Sequence, residues 1–154
     1  MADYHNNRIQ KFWQSGSYVR KWGSYGAGDG QFNGPAGIAI DGAYTVYVVD
    51  RGNHRVQVFS QYGVYASKFG TQGAGNGQFS SPFGAAVDQY GFIYVTDYSN
   101  NRVQKFSPRG IYCCKWGSAG AGYGQFNGPT GIAVDASGNV YVAELGSDRV
   151  QKFR

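Results

Sequence analysis

Charge is what this sequence has least of. Asp, Glu, Lys and Arg together make up 15% of its 154 residues, with only nine acids, fourteen Lys and Arg, and two His. Long apolar runs are missing as well. No segment approaches the roughly 20 consecutive apolar residues of a membrane-spanning helix. The start, Met1-Ala2-Asp3-Tyr4-His5, has neither the basic cluster nor the apolar stretch of a signal peptide. The chain is therefore expected to be soluble, with no membrane partner, and nothing in it specifies a compartment. His5 and His54 stand far apart, and no His-x-x-x-His or Cys-x-x-Cys spacing occurs. That argues against a zinc site, and no cofactor is expected. The two cysteines, Cys113 and Cys114, are adjacent, which excludes a disulfide framework. Neighbouring strand residues point to opposite faces, so Cys113 is expected on the packed side and Cys114 outward.

What the sequence has instead is glycine, aromatics and a strict period. It carries 25 Gly and is 17% aromatic, which suits short packed strands broken by tight turns. Gly30-Gln31-Phe32, Gly77-Gln78-Phe79 and Gly124-Gln125-Phe126 stand 47 residues apart, as do Pro35, Pro82 and Pro129. The same interval separates Asp3, Asp50, Asp97 and Glu144, and likewise Arg8, Arg55, Arg102 and Arg149. A period of this length marks one supersecondary unit copied in tandem, each copy burying apolar surface against the next. The sequence begins partway through a unit, and Phe153 falls in register with Phe12, Phe59 and Phe106. It reads as part of a longer array, excised or engineered.

Within one unit the apolar residues form short β-type runs, with no helical period sustained. Gly37–Asp41, Val46–Asp50, Arg55–Phe59 and Val64–Phe69 are the expected strands, each bounded by Gly, Asn, Asp or Ser. The first is small, with Gly37 and Ala39 matched by Gly84 and Ala86 and by Gly131 and Ala133, as suits a strand crowded near an axis. Four-stranded antiparallel meanders in tandem predict an all-β fold of radially arranged blades, the β-propeller.

The motif Gly77-Gln78-Phe79-x-x-Pro82-x-Gly84-x-Ala86-Val87-Asp88, followed by Ile93-Tyr94-Val95-x-Asp97 and Asn101-Arg102-Val103-Gln104-Lys105-Phe106, resembles the NHL repeat. Asn53-His54-Arg55 is the copy nearest the tripeptide that names that family, with Arg55 where the name has leucine. The resemblance covers essentially the whole chain. It implies a ring commonly of six blades, of which this chain supplies about half. The expected partition is a partial blade of third and fourth strands in 1–29, full blades in 30–76 and 77–123, and a partial blade of first to third strands in 124–154. Open blade faces associate, so two chains are expected to complete one ring as a homodimer through their terminal strands.

Seven of the nine acids recur in register: Asp41, Asp88 and Asp135 end the first strand, and Asp3, Asp50, Asp97 and Glu144 end the second. Repeated positions do not give the distinct environments that acid–base catalysis needs, so no enzyme is expected. The expected role is local, with Asp3 pairing Arg8, Asp50 pairing Arg55, Asp97 pairing Arg102 and Glu144 pairing Arg149. Only Asp29 and Asp148 lie outside the pattern.

Binding remains, and it should use whatever varies between copies. Strand direction puts the turns between second and third strands on the same rim as the loops between units. Those turns read Tyr4-His5-Asn6-Asn7, Arg51-Gly52-Asn53-His54, Tyr98-Ser99-Asn100-Asn101 and Leu145-Gly146-Ser147-Asp148, and the residue after the proline varies as Ala36, Phe83 and Thr130. Tyr4, Arg51, His54, Phe83 and Tyr98 are the candidate contacts. Aromatic, basic and amide groups suit either a protein or peptide partner or single-stranded RNA, which some NHL domains bind on the corresponding face. Of the net charge of +5, most belongs to residues in register, so no concentrated basic patch is expected.

Overall fold

The computed structural model describes all 154 residues, and it is a fan of four antiparallel sheets. The first holds β1 (Ala2–Asp3), β2 (Arg8–Phe12) and β3 (Tyr18–Trp22). The second holds β4 (Pro35–Ile40), β5 (Val46–Asp50), β6 (Arg55–Phe59) and β7 (Tyr65–Phe69). A two-residue parallel pair, β8 (Thr71–Gln72) and β9 (Gln78–Phe79), ties down the loop that follows. The third sheet is β10 (Pro82–Val87), β11 (Ile93–Asp97), β12 (Arg102–Phe106) and β13 (Tyr112–Trp116). The fourth is β14 (Pro129–Val134), β15 (Val140–Glu144) and β16 (Arg149–Phe153).

The second and third strands stand where the alternation places them, while the first starts two residues earlier, at the proline, and the fourth one residue later. β1 adds a second-strand stub to a first sheet expected to hold only two strands. The parallel pair β8–β9 has no hydrophobic pattern of its own. It is backbone bonding across a glycine loop, and Tyr25–Phe32 and Ala119–Phe126 form the same bridge in the other copies.

Blades pack face to face through aliphatic strand residues. Between the second and third sheets Tyr47, Val49, Val56 and Val58 meet Phe79, Ala85, Ile93, Val95 and Phe106, all buried. Near the axis the first strands touch backbone to backbone. A Cβ on Gly37 would lie 2.6 Å from the Phe83 carbonyl oxygen, which explains why that strand is built from small residues.

The fan is open. Ile9, Val56 and Val103 are at most 1% exposed against the following blade, whereas Val150, in the same register, is 65% exposed. Phe12 is 39% exposed where Phe59 and Phe106 are buried.

One expectation fails. Cys113 and Cys114 are both exposed. β13 is the outermost strand of its blade, beside a register shift between Lys105 and Phe106, and only its end residues Tyr112 and Trp116 reach the packed interior.

Candidate functional site

Each second strand ends on a carboxylate directly opposite the arginine that begins the third. In the second sheet Asp50 Oδ2 accepts from Arg55 Nε at 2.8 Å, Asn53 Nδ2 at 2.9 Å and Gln57 Nε2 at 3.1 Å, and Oδ1 accepts the Asn33 N–H at 2.8 Å. The rest of the guanidinium reaches the loop between units, donating to the carbonyls of Ala27, Gly28 and Gln31. Asp97 with Arg102 repeats this on Ala74, Gly75 and Gln78, and Glu144 with Arg149 on Ala121, Gly122 and Gln125. Asp3 with Arg8 keeps only the 2.7 Å ion pair and bonds from Asn6 and Gln10. Burial pushes the Glu144 carboxyl up, but bonds from Arg149, Asn127 and Gln151 outweigh it and hold it below the ordinary range. These groups are loop clips, with their hydrogen-bonding capacity spent inside the fold.

The first-strand acids are turn acceptors. Asp41 takes the N–H groups of Ala43 and Thr45 and the Tyr47 hydroxyl. Burial, reinforced by Asp41, pushes the Tyr47 hydroxyl up to about 12. Asp29, outside the pattern, pairs with Lys68 at 2.6 Å on the surface. No group of three His, Cys, Asp or Glu side chains gathers where it could hold a metal ion.

The rim carries a different kind of site. A one-turn 3-10 helix at Arg51–Asn53, and another at Tyr98–Asn100, present their first residues toward the next blade. The Arg51 guanidinium carbon lies 5.3 Å from the Phe83 ring centroid and 5.6 Å from that of Tyr98. The two rings stand 6.5 Å apart at 40°, so the guanidinium caps a V of aromatic faces. Arg51, Phe83 and Tyr98 are thus brought together.

Tyr4 and His54 do other work. Tyr4 sits edge-on to His5 at 5.1 Å and covers Gly34, one blade away. His54, in a left-handed conformation, accepts the Ser81 N–H on Nδ1 at 3.0 Å. Asn7 does this for Gly34 and Asn101 for Gly128.

A coupled exchange explains the middle copy. At the outer junctions a tyrosine ring lies where a Cβ on the facing glycine would be, 2.9 Å from Tyr4 at Gly34 and 2.9 Å from Tyr98 at Gly128. In the middle junction Arg51 replaces the tyrosine and turns toward Phe83, and Ser81 replaces the glycine with φ of +50°. Ser80, Ser81 and Ser99 join this rim, with the Ser99 N–H donating to the Ser80 carbonyl at 3.1 Å. They were legible only by aligning copies, which puts Asn33, Gly34 and Gly52 in their places.

A separate groove of about 730 Å³ opens between the first two sheets, lined by Ile9, Phe12, Ile38, Ile40, Tyr44 and Val46 among others.

Comparison with known proteins places this architecture. The chain superposes on virginiamycin B lyase from Staphylococcus aureus with a TM-score of 0.66 at 14% identity, covering 96% of this chain and 48% of the lyase. It matches an auxiliary nutrient binding protein from Bacteroides thetaiotaomicron with a TM-score of 0.67 at 14% identity, over 96% of this chain and 42% of that one. A gluconolactonase from Xanthomonas campestris gives 0.64 at 15% identity, over 92% and 43%. This chain spans about half the length of the first of these structures, and at such identities the likeness is one of fold. A search of curated proteins found no match. The description of the sequence model that matches residues 32–59, 79–106 and 126–153 is NHL repeat, and the chain belongs to the NHL repeat family.

Proposed function

We propose that this chain is a non-catalytic propeller scaffold, two copies of which close one six-bladed ring. The observation that carries the reading is that its two ends are the halves of an interface it already makes internally. Between the second and third sheets, Tyr47 and Val49 fill the space facing Ala85 and Ile93. Between the third and fourth, Tyr94 packs with Val140 and Val142. Before the second sheet, the groove over Ile38, Ile40 and Val46 is open. Tyr141, the next tyrosine in register, has its hydroxyl on Asp135 as Tyr47 has on Asp41, and no following blade to cover. A second copy seats Tyr141 there, and its Val150 takes the place of Ile9 as β16 displaces β2.

Light scattering on a sizing column across a tenfold dilution is expected to give twice the 16.7 kDa chain mass throughout. Tyr141→Asp is expected to give monomer, whereas deleting residues 1–13, whose register β16 duplicates, leaves the dimer intact. A monomeric parent chain overturns the reading. The non-catalytic part rests on the clip geometry, since the repeated carboxylates are held by donors of the fold.

A second reading, favoured by the Arg51, Phe83 and Tyr98 cluster, makes the variable rim a docking face for a protein or peptide, or for single-stranded RNA. Replacing Arg51 and Tyr98 with Ala together is expected to weaken such binding, and for RNA the binding lost is salt-sensitive.

A further inference from the structure

Starting from the rim reading, we propose that Arg51, poised over Phe83 and Tyr98, receives a single carboxylate side chain from an extended partner polypeptide. Six of the differences between copies meet at this one place. In the middle junction Arg51, His54, Ser80, Ser81, Phe83 and Ser99 stand where the first copies carry Tyr4, Asn7, Asn33, Gly34, Ala36 and Gly52. The clip residues beside them, Asp50, Arg55 and Gln57, recur unchanged as Asp97, Arg102 and Gln104 while these rim positions change.

The chemistry of the cluster is that of an unspent donor. Arg8, Arg55, Arg102 and Arg149 each have a carboxylate partner. Arg51 has none, and its five N–H donors meet no acceptor of this chain. The two rings hold the guanidinium carbon at 5.3 and 5.6 Å, and its uncommitted N–H groups can bond a carboxylate in pairs. A cation already ordered by stacking loses little entropy when it binds.

The occupant is a polypeptide side chain. Neither concavity of the molecule includes Arg51, so a free small acid would stay largely in water there. An open rim bearing a stacked Arg between aromatics is the anatomy of a protein-binding hot spot. Nucleic acid would need several cations in a row, and the other arginines of the repeat are already clipped to carboxylates.

The test is an NMR titration of the full chain with a blocked Gly-Ser-Glu-Ser-Gly peptide, its Gln counterpart and an octauridylate. The Glu peptide is expected to shift the Arg51 Nε–H and the Ser81, Phe83 and Tyr98 signals saturably, with the Gln peptide about tenfold weaker. Arg51→Gln is expected to lose about tenfold in affinity for the Glu peptide with the remaining spectrum unchanged, and Arg51→Lys an intermediate amount, since it keeps the charge but not the fork. Equal binding of Glu and Gln peptides overturns the carboxylate assignment and leaves the rim reading standing. Tighter, strongly salt-dependent binding of octauridylate does the same in favour of RNA. If none of the three probes moves the rim signals, the rim reading falls with the inference.

Discussion

The first complete blade and the start of the chain use the same residues to different effect. Asp50 and Arg55 have side chains 0% and 8% exposed, and the guanidinium closes on three loop carbonyls. Asp3 and Arg8, identical in type and in pairing distance class, are 16% and 31% exposed, and Arg8 reaches no loop carbonyl. The strand motif is therefore only one half of the clip. The other half is the glycine loop that enters the blade, and an arginine that bonds none of its carbonyls leaves the ion pair partly exposed.

The largest effect expected from breaking this comparison is at Arg102. Arg102→Met leaves Asp97 buried without its counter-charge and strips three carbonyls of their donors, and is expected to cost about 3–5 kcal/mol. Arg8→Met removes a half-exposed pair and is expected to cost about 1 kcal/mol or less. Urea unfolding of the two variants beside the parent measures the difference. Equal losses would mean that the loop carbonyls contribute nothing.

A smaller effect separates the middle rim from its neighbours. Gly128 has φ of +65° and lies under the Tyr98 ring. Gly128→Ser is expected to cost about 2 kcal/mol, part from the left-handed backbone and part from the ring. In a Tyr98→Arg background the ring contribution disappears and about 1 kcal/mol remains, as the natural pairing of Arg51 with Ser81 implies. A double-mutant cycle with no coupling would refute the exchange.

How much of this was legible follows from where the information lies. The strands Val46–Asp50 and Arg55–Phe59 were legible to the residue, because alternation, a terminal carboxylate and a following arginine mark them. The loop carbonyls were not, since a backbone acceptor leaves no trace in side-chain identity. At the rim, Arg51, Phe83 and Tyr98 were singled out as the positions that vary, but nothing in their order showed that the three meet across two blades. His54 was singled out with them as part of a varying turn, and its Nδ1 accepts the Ser81 N–H. Its neighbours in register, Asn7 and Asn101, indicate the acceptor role that it fills. Cys113 was misplaced because alternation assumes a strand with one covered face, and the outermost strand of a blade has little cover on either.

The subtlest contrast lies in the turn acids, and pH reads it. Asp135 accepts from the Asn139 side chain at 2.7 Å, a bond that Thr45 and Phe92 do not make in the other copies. That side-chain bond, then the Asn139 and Ser137 backbone N–H groups and the Tyr141 hydroxyl, hold the carboxyl at about 2, below its usual 3.8. A carboxyl lowered on folding binds its proton more readily in the unfolded chain, so the stability it contributes is present in full above about pH 4 and is lost as pH falls toward 2. Asn139→Ala is expected to return the Asp135 titration toward 3.8 and to flatten the acid limb of the stability profile in that window while leaving its shape above pH 5 unchanged. Titration of the Asp135 carboxyl carbon by NMR checks the first, and denaturation midpoints from pH 2 to 6 check the second. A carboxyl that still titrates near 2 in the variant would assign the shift to the turn backbone, which all three full turns share, and would erase the difference between the end blade and the interior ones.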